Sequence, residues 1–339
     1  MSSAEPARPA AAQLSPILAR RAALLFAVVT IAVLPFIFTD TYWRTNLIVC
    51  ALNVMLAIGL DFVLGYAGQL NLGQSAFYGL GAYASTLLIT KLGIPFWIAF
   101  AGGVAFSGFA GIVLSLFAVR LRGHYLAIAS LGFAVITYQI LLNWISLTEG
   151  PLGIYAIPPP PALAFPGLPT IDFHDLANLF YLVSGIAVLS YLLLDQLIRS
   201  PIGETLTAIR EDEVAAASLG INCGAWKVFA FGVGSAVAGA AGCFYASLVG
   251  TLVPDAFFIT ESFTILAMVV VGGMGTLIGP VCGAILLTVL PEVLRGIGDL
   301  RLVVYGVAVT LVVLFIPGGI VEAAQLAFER LARARVTTR

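Results

Sequence analysis

Residues 265–287 read ILAMVVVGGMGTLIGPVCGAILL, and the reading of this stretch decides how the chain is threaded. The apolar run around it, 262–290, is long enough to span ~30 Å of hydrocarbon, which takes about 20 helical residues. It is interrupted by Gly272-Gly273-Met274-Gly275. Consecutive glycines weaken a helix, and irregular backbone at membrane depth persists only where protein or a cavity satisfies it. The stretch therefore reads as two short helices joined by a glycine turn, a candidate re-entrant hairpin. Gly275, Gly279 and Gly283 form a doubled GxxxG, the spacing that lets helix backbones approach closely in lipid.

On either side lie further apolar segments at 22–38, 46–66, 70–90, 94–119, 125–145, 176–198, 227–250 and 302–317. Lys and Arg concentrate on the cytoplasmic side of membrane proteins, which tests this count. With the N-terminus inside, Arg8, Arg20, Arg21, Arg120, Arg122, Arg199, Arg210, Lys227, Arg330, Arg333, Arg335 and Arg339 fall together, 12 of the 16 basic residues. The opposite loops carry Arg44, Lys91, Arg295 and Arg301. The partition holds only if 262–290 returns to the side it entered. The expected fold is thus an all-α polytopic transmembrane helix bundle, about eight spans plus the glycine-broken hairpin, with both termini cytoplasmic. Residues 1–16, rich in Ala, Pro and Ser, read as a disordered tail; 17–330 form the transmembrane domain, with 199–226 a polar cytoplasmic loop; 331–339 form a basic tail. Arg20-Arg21 before an apolar run resembles a signal peptide, but the run is too long and reads as an uncleaved first span.

Composition agrees. Hydrophobic residues make up 60% and charged residues 10% of 339 positions, against about 25% charge in soluble domains; mean hydropathy is +1.06. A net charge of −1 gives no general attraction to nucleic acid. The cysteines show no CxxC spacing and no histidine companions, so no metal site is expected. There is no GxxxxGK[ST] phosphate loop, HExxH, GxSxG or kinase signature. No enzyme activity, catalytic residue or cofactor of its own is expected for this chain.

Three features exceed bundle-building. Residues 65–75, GYAGQLNLGQS, place glycines and amides between two spans, with Asp61 one turn upstream. A broken helix here, with Asp61, Gln69, Asn71 and Gln74 lining a path, is one reading; a tight turn capped by Gln and Asn is the other, and spacing does not separate them. Between the start signal Ser200-Pro201 and the stop signal Gly220 runs one mixed helix on which Leu206, Ile209, Ala216 and Leu219 share a face. It reads as a solvated connector or as a helix that receives a push from a cytoplasmic partner. The long outside loop from Leu147, stiffened by Pro158-Pro159-Pro160-Pro161, is a landing surface for an external protein or inert spacing. An ion-coupled transporter needs intramembrane ionisable residues; Asp61 is the main candidate, with Asp195 near an edge, and that scarcity counts against it.

At these residues the chain resembles the permeases of branched-chain amino-acid ABC importers, the larger, LivM-like member of the pair. Four stretches carry the likeness: GYAGQLNLGQSAFYGLGAYAS from Gly65, LTEGPLGIYAIPPP from Leu147, SPIGETLTAIREDEVAAASLGIN from Ser200 and ILAMVVVGGMGTLIGPVCGAILL from Ile265. The resemblance implies a permease domain in the bacterial inner membrane, a second homologous permease subunit, two cytoplasmic ATPase subunits that bind the ATP, and an external solute-binding protein. It implies that Gly203, Glu204, Ile209, Arg210, Asp212, Ala216 and Gly220 belong to the ATPase-docking loop. Gly272, Gly273, Gly275, Gly279 and Gly283 are expected to shape the hairpin and its packing. Glu204 and Thr207 stand where similar sequences often carry basic residues, and Glu149 where a glycine is common. Similar permeases also serve urea, short amides and aromatic acids.

Overall fold

The computed structural model describes residues 29–31, 33–118, 124–162, 171–298, 300–315 and 318–323. Both predicted tails, residues 22–28 and 32 of the first predicted span, and Arg120 and Arg122 lie outside the described residues. The chain forms α1 (Thr41–Asp61), prolonged by a π-helical turn (Phe62–Tyr66), then α2 (Gln74–Thr90), α3 (Phe96–Ala118) and α4 (His124–Asn143). There follow α5 (Leu176–Ile198), α6 (Pro201–Glu211), α7 (Glu213–Ser218), α8 (Cys223–Val249), α9 (Ile259–Gly272), α10 (Ile278–Val293) and α11 (Leu300–Phe315). Seven helical segments among the described residues are long and apolar enough to cross a membrane. The protein is an all-α polytopic helix bundle. Among the described residues the sheet is one short antiparallel ladder, with β1 (Ile154–Tyr155) paired to β2 (Thr251–Leu252).

The 27-residue α8 is the core of the bundle, packed against α1, α2 and α3. Small residues make this possible. A side chain at Gly242 would overlap the carbonyl of Tyr78, and one at Gly234 would stand 2.5 Å from the carbonyl oxygen of Gly59. From α3, the Ser107 hydroxyl lies 2.9 Å from the Phe77 carbonyl and 2.7 Å from the Ser235 carbonyl, tying α2 to α8. In lipid no hydrophobic drive separates helix from solvent, so close van der Waals approach and interhelical hydrogen bonds carry the association.

Three expectations are revised. First, the arms of the hairpin are not short. With the flanking turns they run Pro254–Gly272 and Ile278–Gly296, each of crossing length. The glycine turn reaches the end of the bundle where α1 finishes, because the Gly275 amide donates to Asp61 Oδ1 at 2.8 Å. Two crossings preserve the same parity as a re-entrant loop. Side chains at Gly272 and Gly283 would overlap the carbonyls of Gly279 and Met268, so the two arms touch backbone to backbone. Second, the predicted span 70–90 is helical only from Gln74. Residues 67–73 are non-helical yet largely buried, and their backbone is satisfied by side chains: Ser130 Oγ accepts from Leu72 N at 2.9 Å and Asn71 Oδ1 from Gly73 N at 2.8 Å. Third, the polar loop holds two helices instead of one. Asp212 is extended (φ −153°, ψ 103°) between α6 and α7. Leu206, Ile209 and Ala216 are buried, but Leu219 swings out to 82% exposure. In the loop after α4 Glu149 adopts φ 62°, the left-handed region that favours glycine.

Candidate coupling and translocation site

The polar loop is built by local capping. Ser200 Oγ accepts from Ile202 N at 3.2 Å, with Pro201 in the first helical position, where its missing N–H costs nothing. Asp212 Oδ1 accepts from Val214 N at 2.9 Å and Ala215 N at 3.0 Å, opening α7. Glu213 pairs with Lys227 on α8 at 2.7 Å, and Arg199 with Asp195 at 2.9 Å at the end of α5. Of the predicted docking residues, Gly203, Ile209 and Ala216 face inward, and a side chain at Gly203 would overlap the Ile198 carbonyl. Glu204, Asp212 and Gly220 are exposed, Gly220 at φ 85° with open space around it. Val214 and Leu219, 69% and 82% exposed, present apolar side chains beside these acids.

Arg210 behaves differently. Its guanidinium donates to the carbonyl of Gly65, in the π-helical turn that ends α1. The site therefore joins α6, the end of α1 and the glycine turn, where Asp61 holds Gly275. An apolar cluster of Ile58, Phe62, Leu194, Leu206, Ala230 and Leu277 packs the same end.

From Gly65 the chain turns back into the bundle. Gln74 Nε2 lies 3.4 Å from the Leu56 carbonyl; nine residues before Gly65, at 1.5 Å per residue, that is about 14 Å inside. There the start of α2 meets the start of α9: Ser262 Oγ accepts from Ser75 N at 2.9 Å, and the two hydroxyls are 2.8 Å apart. Asn71 Nδ2 donates to Gln74 Oε1 at 3.0 Å, so these two amides satisfy each other and the irregular backbone. Among the described residues, Gln69 Oε1 and Asp61 Oδ2 are buried without a hydrogen-bond partner. Glu261 lies in the first turn of α9, next to the Ser262 that meets Ser75. A helix N-terminus carries partial positive charge and favours a carboxylate there. Sequence reasoning began the hairpin at 262 and so overlooked Glu261; the acid just ahead of an apolar run was the available signal. No cluster of metal-binding side chains occurs among the described residues.

The family model for the branched-chain amino acid transport system / permease component matches residues 42–316. The chain is 36% identical over 285 residues to the high-affinity branched-chain amino acid transport system permease protein LivM of Escherichia coli K12, covering 79% of this chain and 67% of that protein. LivM of Salmonella typhimurium matches to the same extent. LivH of Escherichia coli K12, a permease protein of the same transport system, is 27% identical over 249 residues, covering 69% of this chain and 78% of LivH. No solved structure gives a significant match.

Proposed function

The chain belongs to the branched-chain amino acid transport permease family, and on that premise we propose that it imports a branched-chain or related amino acid using ATP bound by partner subunits. It is a LivM-like permease subunit, a multi-pass protein of the bacterial inner membrane and one component of a larger transporter. The finer reading gives it a second homologous permease, two cytoplasmic ATPase subunits and an external solute-binding protein. Likeness to both LivM and LivH supports the paired permeases. The observation that carries the ATPase reading is the α6–α7 surface, where exposed Val214 and Leu219 stand outside every apolar span. Movement of the ATPase pair displaces these helices, and the bundle reorients between two states. Both termini and the α6–α7 loop then face the cytoplasm.

Proteoliposomes holding both permeases and the ATPase pair, supplied with the binding protein, test this. Uptake of leucine or isoleucine is expected to require ATP and to persist after ionophores collapse the ion gradients. Uptake by this chain alone, or uptake driven by an ion gradient without ATP, overturns it. Competition by urea, short amides and aromatic acids in the same assay defines the cargo.

The path is proposed to follow the buried segment 66–75 to the paired starts of α2 and α9, with Gln69, whose carbonyl oxygen is unpartnered, as its polar contact. Asn71 and Gln74 hold the segment in shape, and Asp61 closes its inner end. Losing one hydrogen bond of about 1–1.5 kcal/mol predicts an uptake rate about tenfold lower in Gln69→Leu at unchanged protein level. Wild-type kinetics in that variant would make the segment a scaffold only.

A further inference from the structure

We propose that Arg210 is a positioning residue that carries displacement of α6 into the bundle, pinning it to the place where the α1 end and the glycine turn meet. The inference rests on the importer reading above and adds the route by which the docking helix grips the path.

The geometry is specific to this one side chain. Gly65 ends α1, where the last carbonyls have no helical partner, and the Arg210 guanidinium supplies the donor from 145 positions away. Two glycines make room for it, and a third makes room for the contact beside it. A Cβ at Gly68, which sits at φ 67°, would stand 2.8 Å from Arg210 Cγ; one at Gly275, at φ 77°, would stand 2.9 Å from Arg210 Nη1. One at Gly65 would press on the Gly275 amide and the Asp61 carboxylate. Gly68 opens the irregular segment that leads to α2, and Gly275 lies in the turn between α9 and α10. The stem of Arg210 thus rests on one break in the helical backbone and its tip on the other.

Asp61 completes the arrangement. One oxygen holds Gly275 N at 2.8 Å, and the other is buried without a hydrogen-bond partner. A guanidinium has five donors in a fixed fork, and its bond to Gly65 uses one. Asp61 Oδ2 offers a second seat within the same pocket of glycines. Shifting α6 therefore moves the guanidinium between two acceptors at the end of α1, beside the non-helical segments 67–73 and 273–277.

The test compares Arg210→Ala, Arg210→Lys and Gly68→Ala in the assembled complex with its ATPase pair and binding protein, reading uptake and ATP hydrolysis together. Solute moved per ATP is expected to fall about tenfold in Arg210→Ala, within the range by which residues of a coupled network modulate coupling, while hydrolysis and assembly persist. Arg210→Lys, which keeps the charge but lacks the planar fork, should fall between Ala and wild type. Gly68→Ala should reproduce the loss with Arg210 intact. An unchanged ratio in folded Arg210→Ala overturns the proposal and leaves the importer reading standing. Loss of ATPase binding in Arg210→Ala also overturns it, making Arg210 a docking contact. If Arg210→Ala does not fold, the ratio in Gly68→Ala decides: a fall supports the pin and no change refutes it. A wild-type complex without ATP-driven uptake would instead refute the importer reading itself.

Discussion

Gly242→Leu is expected to lower the melting temperature of the detergent-purified protein by about 10 °C, or to prevent its accumulation. The position lies in α8 where it crosses α2, and any side chain would overlap the Tyr78 carbonyl with Ala82 N only 2.9 Å from the new Cβ. Neither neighbour is a flexible side chain that can turn aside; both are helix backbone. Overpacking in a dense core typically costs 1–3 kcal/mol and occasionally more, and backbone contact belongs at the upper end. At about 2–4 °C per kcal/mol for a chain of this size, that gives the stated fall. Gly132→Leu and Gly185→Leu are the controls, since nothing stands within 4 Å of a Cβ at either position. A wild-type melting curve for Gly242→Leu, measured beside them, would show that α8 and α2 are not in contact.

The second large effect concerns association. Val214→Asp combined with Leu219→Asp is expected to weaken ATPase binding about 100-fold without changing the melting temperature. Both side chains are mostly exposed, so the subunit itself loses little when they change. Burying such a side chain contributes about 1.5–3 kcal/mol, and roughly 3 kcal/mol for the pair corresponds to two decades in Kd. Titration of the purified ATPase pair against variant and wild-type permease measures it. Equal affinities would move the docking site away from α7.

Much of the architecture was legible because hydropathy reports lipid contact directly. The predicted span 176–198 coincides with α5, and 94–119, 125–145 and 227–250 differ from their helices by one to four residues at each end. The misreadings came where tertiary bonds override a local pattern. Leu70, Leu72 and the flanking small residues look like the start of a span, yet Ser130 and Asn71 hold that backbone out of helical form. The polar loop was read as one amphipathic helix because the apolar spacing allowed it. Asp212 breaks it by offering its carboxylate to two amides, a capping signal hidden among neighbouring acids. The sequence places Arg210 in the docking loop, but no window of sequence contains its partner at Gly65. Distant pairing is invisible to periodicity.

Asp212 is the last point of α6 and the first of α7, with no slack residue between them. The corner is therefore an elbow, and its two arms are fastened to different parts of the molecule: α7 to α8 through Glu213 and Lys227, α6 to the α1 end through Arg210. A sideways load on α7 reaches α6 as torque about a fulcrum one residue wide. Lengthening that corner, even by a pair of glycines, would turn a lever into a rope.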